Sequence, residues 1–561
     1  MASFLFPSLR GYQGSWLRSD LVAGLTVWAI LIPEALAYAS IAGVSPVVGL
    51  YAAPGALILY AALGSSRALV VGPMAATAAL SAATVGDLVA HSSGDFLAFT
   101  TALAITTGAA ALIAGVLRLG FLASFISEPV LKGFIVGLAL TIIIGQVPKL
   151  FGVDGGEGDF FRKAAETIGN LGETSGITIL VGGLSLALVL GLKRWNPAIP
   201  ASLVAVAAGI AVVHVFSLDD HGLEIVGHVD SGLPSLGGPG LALHDYGRLA
   251  AGGIGVMLVG FAEGLGAAKT YSARDHYEID PNRELLGLGG ANLAAGLSGG
   301  MVVNGSLSKT AVNASAGART QLAGLLVAGL TVLTLLFLTG LFEDLPEATL
   351  AAIVIAAVVE LVDFPALRGL YRVYSRELGR DYGFAARPDF IAATAAMLGV
   401  LVFDTLPGLF IGIGVALLLL LYRASRPYVA ELGALSGEGG FGDLRRHPEA
   451  RPVAGAAILR IESGLFFANA DAVRTRIEAA AAGKGVKLIV LDLESVPSLD
   501  VSAARMLEAV TGDLGRAGVE LRLARAVGQT RDVLAKAGGE DGALEVHRTI
   551  DDALADRRAG D

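Results

Sequence analysis

The chain has no cysteine and little charge. Only 16% of its 561 residues are Asp, Glu, Lys or Arg, whereas a soluble protein carries about 25%. The lack of cysteine excludes disulfides, thiolate metal sites and cysteine nucleophiles. The eight histidines are scattered without metal-ligand spacing and no catalytic constellation is evident, so we expect no metal, no other cofactor and no enzyme activity. The net charge of −10 argues against nucleic acid as a partner.

Long apolar runs make up most of what is present. Hydrophobic residues account for 54% of the chain, in runs of roughly 20, the length that spans a hydrocarbon core of about 30 Å. The first run follows a polar stretch at residues 10–20 and is long enough to span, so we expect no cleavable signal. We predict about fourteen helical membrane spans, near residues 21–42, 48–64, 68–87, 96–117, 121–147, 176–192, 197–217, 249–268, 284–299, 306–318, 321–341, 347–362, 389–404 and 406–422.

Basic residues are concentrated in alternate loops between these spans. If the N-terminus is cytoplasmic, every loop assigned to the cytoplasm contains Lys or Arg, whereas the loops assigned outside are acidic or neutral. The basic residues concerned are Arg67, Arg118, Lys193, Arg194, Arg274, Arg283, Arg319, Arg368, Arg372, Arg376, Arg380, Arg387, Arg423 and Arg426. We therefore predict a multi-pass protein of the inner (plasma) membrane with both termini in the cytoplasm.

The character of the chain changes after the last span. We divide it into a transmembrane domain at 1–429, a Gly-rich polar linker at 430–451 and a cytoplasmic domain at 452–561. In the last part, stretches typical of buried strands alternate with stretches of helical periodicity. The strands are predicted at 456–461, 486–493 and 519–524, and the helices at 470–482 and 502–517. This alternation predicts a small soluble α/β domain.

Two acids stand alone in apolar spans. Glu34 is the only ionisable acid or base within residues 21–66, and Glu263 is the only one within residues 249–268. A carboxylate inside a bilayer costs roughly 2.5 kcal/mol or more, so such acids are rare and usually face a polar cavity or an ion path. Their presence indicates a transporter.

Two spans are interrupted at comparable places in the two halves of the chain. Residues 66–81 have Gly-Pro after a β-branched run, and residues 299–315 have Gly-Ser after a similar run. Each pattern predicts an extended strand that reaches mid-membrane and then starts a half-helix. Paired interruptions point to the site of an inverted-repeat transporter. Two helix N-termini there would present unpaired N–H groups and positive dipole ends, which favour an anion.

The side chains near these interruptions are the candidate ligands. Lys309 adds positive charge one turn into the second half-helix, where Ser308 offers a hydroxyl. Glu34 and Tyr38 are four residues apart and share a helix face, so Tyr38 either donates to the substrate or packs as an ordinary tyrosine. Met74, directly after the Gly-Pro, is either an apolar wall at the half-helix tip or a packed methionine.

Glu263 presents an electrostatic problem for an anion site. An ionised carboxylate beside an anion in a low-dielectric site repels it, and burial favours the neutral form of a carboxyl group. Protonation of Glu263 together with anion binding solves the problem, and this would be proton–anion symport. A bound Na⁺ is a second solution. A third reading makes Glu263 the partner of Lys309 in a structural or gating ion pair.

Four segments in order resemble the sulfate permease family, in the same superfamily as the solute carrier 26 anion exchangers. They are AGLTVWAILIPEALAYASIAGVSPVVGLYA (23–52), GSSRALVVGPMAAT (64–77), YEIDPNRELLGLGGANLAAGLSGGMVVNGSLSKTAVN (277–313) and the C-terminal domain, which is similar to the STAS (sulfate transporter and anti-sigma factor antagonist) module of these permeases. The resemblance covers nearly the whole chain.

The resemblance implies a seven-plus-seven inverted repeat, a core domain that moves against a gate domain, and a homodimer. It implies an anion site between the third- and tenth-span half-helices. By motif, its residues are Glu34, Tyr38, Met74, Ala75, Ser308 and Lys309, with Glu263 binding the coupling ion. Glutamine is commoner at position 34, an aromatic is frequent at position 74 in animal members, and arginine is often found at position 309. Sulfate, bicarbonate and C4-dicarboxylates remain open as substrates, and the resemblance favours H⁺ over Na⁺.

Ser502 matches the serine that is phosphorylated in STAS antagonist proteins, within SLDVSAA at 498–504. It is either a regulatory phosphosite or only the cap of the helix that follows. We expect the STAS domain to regulate transport or to dock a cytoplasmic protein. The competing hypotheses for the whole chain are a nucleobase permease, an uncoupled anion channel and a membrane receptor that signals through its STAS domain.

Overall fold

The computed structural model describes residues 5–89, 95–121, 126–156, 158–196, 199–373, 386–403, 405–435, 440–537 and 546–555. Arg376 and Arg380, two of the arginines used to orient the chain, lie outside the described residues. The chain splits into two compact units, Met1–Arg372 with Asp389–Ala416, and Val373–Pro388 with Leu417–Asp561.

The membrane part of the chain is a succession of helices, most of which are apolar. In chain order they are α1 Leu17–Ile41, α2 Pro46–Leu63, α3 Ala75–Val89, α4 Phe96–Val116, α5 Glu128–Phe151, α6 Phe160–Asn170, α7 Gly176–Trp195, α8 Ala201–Phe216, α9 Leu243–Arg274, α10 Pro281–Leu297, α11 Leu307–Ser315, α12 Leu322–Phe337, α13 Glu347–Val358, α14 Phe364–Arg372, α15 Pro388–Phe403 and α16 Thr405–Ala424. Two short strands, β1 Val70–Gly72 and β2 Asn304–Ser306, precede α3 and α11.

Each predicted span coincides with one of these helices; α6 and α14 are additional short helices. Within the described residues, eight helices are long and apolar enough to cross a membrane, and four apolar helices are shorter. The helical membrane fold is confirmed, and the count of fourteen spans stays a prediction.

Glycine allows α4 and α10 to pack at close range. A Cβ atom added to Gly108 would lie 2.6 Å from the backbone nitrogen of Leu293 and 2.8 Å from the carbonyl oxygen of Gly289. Both distances are too short for any larger residue, so the two backbones touch here as in other small-residue helix contacts. The contact fixes α10, which carries two polar residues that support the site.

Both predicted interruptions are present. β1 and β2 form an antiparallel pair in which Val70 lies opposite Ser306 and Gly72 lies opposite Asn304. All six residues of the pair are buried. The pairing satisfies backbone groups that would otherwise lack partners at this depth, which is the condition for irregular backbone inside a membrane protein. The two half-helices α3 and α11 therefore start from one shared strand pair.

A buried acid anchors the segment that leads into β1. Glu284, in the first turn of α10, is fully buried. Its carboxylate accepts hydrogen bonds from the Tyr60 hydroxyl at 2.7 Å, from the Ser65 backbone nitrogen at 2.8 Å and hydroxyl at 2.7 Å, and from the Ser66 backbone nitrogen at 3.0 Å. Four donors offset the cost of burying the charge. The acid thus ties the end of α2 and the turn after it to α10.

The second unit contains a six-stranded sheet. Its strands are β3 Val429–Ala434, β4 Phe441–Asp443, β5 Ala456–Ile461, β6 Leu488–Asp492, β7 Glu520–Ala524 and β8 Val546–His547, in the spatial order β4-β3-β5-β6-β7-β8. Strands β5 to β8 are parallel, and β3 is antiparallel to both its neighbours. The helices are α17 Ala470–Ala481, α18 Val501–Arg516, α19 Gly528–Ala537 and α20 Ile550–Ala555. The α/β prediction is confirmed.

The stretch predicted as a linker, 430–451, includes strands where the structure describes it, and its residues 436–439 lie outside the described residues. It contains most of β3 and all of β4, and β3 pairs with β5 from Val429 to Leu432. Two of its glycines, Gly433 and Gly442, lie opposite each other in the pair of β3 and β4. The division of the chain at 429 and 452 stays a prediction.

Candidate functional site

The strand pair places two helix N-termini at one point of the bundle. α3 begins at Ala75, after the two residues that follow the end of β1, and α11 begins at Leu307, directly after β2. Ser306 caps α11, because its hydroxyl accepts a hydrogen bond from the backbone nitrogen of Lys309 at 3.3 Å. Since the strands are antiparallel, the half-helices leave the pair in opposite directions. Their positive dipole ends both remain at the pair, where they favour an anion.

Lys309 links three of the elements around the strand pair. Its side chain is 2% exposed, and its Nζ donates to Oε2 of Glu34 at 2.6 Å and to the carbonyl oxygen of Pro73 at 3.1 Å. The same Nζ lies 5.0 Å from the ring centroid of Tyr38, a distance typical of a cation–π contact. The structure therefore brings Glu34, Tyr38 and Lys309 together, and their role as anion ligands stays a prediction.

This geometry corrects one of the readings of Glu263. The ion pair of Lys309 is made with Glu34, so the predicted alternative of a Glu263–Lys309 salt bridge is wrong. Glu34 reaches Lys309 because α1 packs against α11. The consequence is electrostatic: the charge of Lys309 is cancelled by Glu34, so an anion that binds Lys309 competes with that carboxylate.

The remaining predicted ligands lie at the tips of the half-helices. Met74 is half-buried and Ala75 is buried, and both follow Pro73, whose carbonyl group accepts from Lys309. Ser308 is exposed, and its hydroxyl lies 3.1 Å from that of Ser306. Ser308 is thus accessible at the N-terminus of α11, while the buried Ala75 offers backbone and a small side chain.

Glu263 lies beside β2, against which its helix α9 packs. It is half-buried, and its Oε2 accepts a long hydrogen bond of 3.5 Å from Nδ2 of Asn304. Gly260 and Gly264 make this approach feasible, since Cβ atoms added to them would lie 3.1 and 3.2 Å from the Asn304 side chain. The small residues that share the face of Glu263 therefore admit the side chain of Asn304.

Sequence reasoning missed the polar residues that hold this second half of the site. Asn292, on α10, makes two hydrogen bonds with the backbone of Val303. Its Nδ2 donates to the Val303 carbonyl at 2.9 Å, and its Oδ1 accepts from the Val303 nitrogen at 3.0 Å. The signal for Asn304 was available, because it is an amide next to the Gly-Ser break. Asn292 and Glu284 lie in the motif 277–313, but nothing in their spacing indicates what they contact.

The two interrupted segments are also cross-linked by side chains. The Thr310 hydroxyl accepts from the Val70 nitrogen at 3.0 Å, and Asn313 Nδ2 donates to the Ala68 carbonyl at 2.9 Å. Gln321 Nε2 donates to the carbonyl oxygens of Ser66 at 3.0 Å and Leu69 at 2.9 Å. The lead into β1 is therefore fixed to the second interrupted segment.

In the sheet unit, Ser502 is the second residue of α18 and is exposed. The cap of this helix is Asp500, whose carboxylate accepts from the Ala503 nitrogen at 2.8 Å. The alternative in which Ser502 only caps the helix is therefore wrong, because an acid two residues earlier fills that position. A role for Ser502 as a phosphosite stays a prediction.

Comparison with known proteins agrees with these features. The sulfate permease family model matches residues 17–379, and the STAS domain model matches residues 447–553. The chain is 36% identical over 539 residues to a probable sulfate transporter of Mycobacterium tuberculosis, covering 95% of this chain and 94% of that protein.

Two solved structures show the same fold. One is murine Slc26a9, described as an anion transporter, with a TM-score of 0.88 at 21% identity, covering 100% of this chain and 94% of that one. The other is the transmembrane domain of the cyanobacterial bicarbonate transporter BicA, with a TM-score of 0.61 at 24% identity, covering 72% of this chain and 99% of that domain.

Proposed function

The chain belongs to the sulfate permease family and carries a C-terminal STAS domain, and from this we propose that it is a secondary active transporter of a small anion, with sulfate as the first candidate. A sulfate transporter is the activity named for the relative from Mycobacterium tuberculosis. Bicarbonate is the substrate named for BicA, so bicarbonate and C4-dicarboxylates are the further candidates. Within this proposal the chain is a carrier and not an enzyme.

The observation that supports the proposal most directly is the pair of helix N-termini at Ala75 and Leu307 with Lys309 between them. Backbone N–H groups and one buried ammonium group favour an anion without a large positive charge in the membrane.

We propose that the anion enters together with a proton. Lys309 is neutralised by Glu34 before substrate binds, so every charge on the anion is added to a site with no net positive side-chain charge. Glu263, beside β2, is then the acid whose protonation offsets that added charge. Na⁺ coupling is the alternative, in which the cation would neutralise the carboxylate of Glu263.

We further propose an elevator-like movement of the strand pair with its helices. The cross-links from Thr310, Asn313 and Gln321 to residues 66–70 support the movement of both interrupted segments as one body. The proposed setting is a homodimer in the inner membrane, with both termini and the STAS domain in the cytoplasm. There the STAS domain would regulate transport or dock a protein partner, with Ser502 exposed for phosphorylation.

Uptake into proteoliposomes tests the proposal. Radiolabelled sulfate, bicarbonate, succinate and fumarate are supplied with an inward H⁺ gradient, an inward Na⁺ gradient or neither, and a radiolabelled nucleobase is the comparison. We expect one anion class to accumulate above its external concentration only with the H⁺ gradient. Electrogenic flux that only runs down the anion gradient would identify a channel instead, and accumulation of the nucleobase would identify a nucleobase permease.

A further inference from the structure

A small cavity is lined by Asn304 of β2 and by residues of three helices. Its volume is about 10 Å³, which is enough to hold one water molecule. Its lining is mostly apolar, from α4, α9 and α10, and includes Thr107, Asn292, Asn304, Gly260 and Phe261.

Two polar atoms at this cavity have no hydrogen-bond partner within the described part of the chain. They are Oγ1 of Thr107 and Oδ1 of Asn304. The residues are 3% and 1% exposed, so bulk water does not reach them. Buried polar atoms are nearly always paired with protein or with an ordered water, because an unpaired one is costly.

The neighbouring threonine, Thr106, differs from Thr107 in how its hydroxyl is paired. The Thr106 hydroxyl donates to the carbonyl oxygen of Ala102 at 2.8 Å, which is the ordinary way for a helical threonine to satisfy itself. Thr107, one residue later on α4, makes no such bond and lines the cavity instead. Its hydroxyl is therefore available to a ligand there.

The contacts of Asn304 determine the orientation of its side-chain amide. Its Nδ2 donates to Glu263. Its backbone is held in β2, opposite Gly72. The preceding residue, Val303, is fixed by two hydrogen bonds with the side chain of Asn292. With Nδ2 committed to Glu263, Oδ1 requires a donor. Thr107 is the other unpaired group at the cavity, and a water molecule between them can donate to Oδ1 and also pair with the Thr107 hydroxyl.

We propose that this cavity binds a single water molecule, which pairs Thr107 with Oδ1 of Asn304, and that Thr107 and Asn304 are thereby positioning residues for the carboxyl group of Glu263. The inference rests on the proposed function, in which Glu263 binds the coupling proton. The bound water keeps the Asn304 amide turned so that its N–H group faces the acid. This N–H group stabilises the ionised form of Glu263 after the proton has left.

In the part of the chain that the structure describes, no charged side chain near Glu263 supplies this hydrogen bond. The charged side chains on α9 on either side of Glu263, and those on α10 and α11, which pack against α9, are Arg248, Lys269, Arg283, Glu284 and Lys309. Lys309 is bonded to Glu34, and Glu284 is bonded to Tyr60 and Ser65. Among the described residues, no ion pair involves Glu263, so its hydrogen bond with Asn304 is the contact that the water would control.

The test uses the full-length protein in proteoliposomes and three variants. Thr107→Val removes the hydroxyl at nearly constant volume, Thr107→Ser keeps it, and Thr106→Val makes the same change where the hydroxyl serves only its own helix. Initial uptake of radiolabelled sulfate is measured across a pH series. Infrared difference spectra follow the carboxyl band of Glu263, identified as the band that Glu263→Gln removes, across the same series without any need for transport.

We expect Thr107→Val to raise the midpoint of both pH series by about 0.5–1 pH unit, because the ionised carboxylate loses a hydrogen bond and holds its proton to higher pH. Thr107→Ser and Thr106→Val should both match the wild type. The inference is overturned if Thr107→Val matches the wild type in the infrared series, or if Thr106→Val shifts by the same amount.

Two further results separate this inference from its premise. Wild-type uptake that does not change with pH would refute proton coupling, while the infrared series would still decide whether Thr107 acts on Glu263. A wild-type carboxyl band that shifts when Na⁺ replaces choline at constant pH, and no longer does so in Thr107→Val, would assign the cavity to Na⁺ and overturn the water site.

Discussion

Removing the acid that neutralises Lys309 should strengthen anion binding. In Glu34→Gln, the carboxylate that holds Lys309 Nζ at 2.6 Å is replaced by an amide. The amide oxygen still accepts a hydrogen bond from Lys309, but it carries no charge and competes less with a bound anion. Lys309 also keeps the Pro73 carbonyl at 3.1 Å as a partner, so the ammonium group is not left without an acceptor.

The size of the effect follows from the bond that the anion has to displace. A hydrogen bond to a charged group contributes about 1.5–3 kcal/mol, and about 1.4 kcal/mol corresponds to a tenfold change in dissociation constant. Full removal of the competition would tighten binding by roughly 10- to 100-fold. Since the glutamine retains a weaker bond to Lys309, we expect a change near tenfold.

The assay is equilibrium binding of radiolabelled sulfate to the purified protein at low ionic strength, without any gradient. The matched control is Glu347→Gln, which makes the same change in the ion pair with Lys149 at 3.0 Å, where both side chains are more than a third exposed. Exposed pairs contribute little, so this variant should bind sulfate like the wild type. A dissociation constant that is unchanged or weaker in Glu34→Gln would show that Glu34 does not compete with the anion for Lys309.

Three further predictions concern coupling, affinity and the sheet unit. Glu263→Gln should abolish uptake driven by a pH gradient while sparing sulfate binding and counterflow; accumulation under an H⁺ gradient in this variant would refute the coupling role. Lys309→Ala should weaken sulfate binding and lower the free energy of unfolding by about 3–5 kcal/mol, because it leaves the Glu34 carboxylate buried and unpaired. Adding Glu34→Gln should recover part of that stability in a denaturation assay, and no recovery would mean that the pair is not the cause. Ending the chain before Tyr428, so that β3 is not left without β5, should preserve sulfate binding by the membrane unit and reduce dimerisation or transport rate; loss of sulfate binding would contradict this.

Periodicity and charge were sufficient to predict most of the fold. Runs of about 20 apolar residues mark a helix whatever it packs against, and alternation of short strands and helices marks the sheet unit. β5 was predicted at its observed bounds, 456–461, because all its residues are apolar except Arg460. Strands β3 and β4 were missed, because each contains a glycine that suggests a linker and β4 has only three residues. Their place in the sheet depends on pairing outside each strand, of β3 with β5 and of β4 with β3.

The site was predictable as a set of residues but not as a set of contacts. The interruptions at 66–81 and 299–315 predict where the half-helices begin. The isolation of Glu34 and Glu263 in apolar spans identifies both acids as candidate site residues. Which acid pairs with Lys309 depends on how α1 and α11 pack, which no local pattern encodes. Thr107 is another example, because its neighbour Thr106 has the same side chain on the same helix and only the packing around α4 distinguishes them.

The Glu284 anchor implies that the orientation of the first half-helix is controlled from a distance. The carboxylate gathers two backbone N–H groups, at Ser65 and Ser66, just ahead of β1. A glutamine there would turn an NH₂ group toward donors, and the backbone feeding β1 and α3 would have to shift. Random mutagenesis selected for altered transport speed should therefore recover substitutions around residue 284 as readily as substitutions of the ligands. The substitutions around residue 284 would change the orientation of the N-terminus of α3 and leave the substrate-binding groups unchanged.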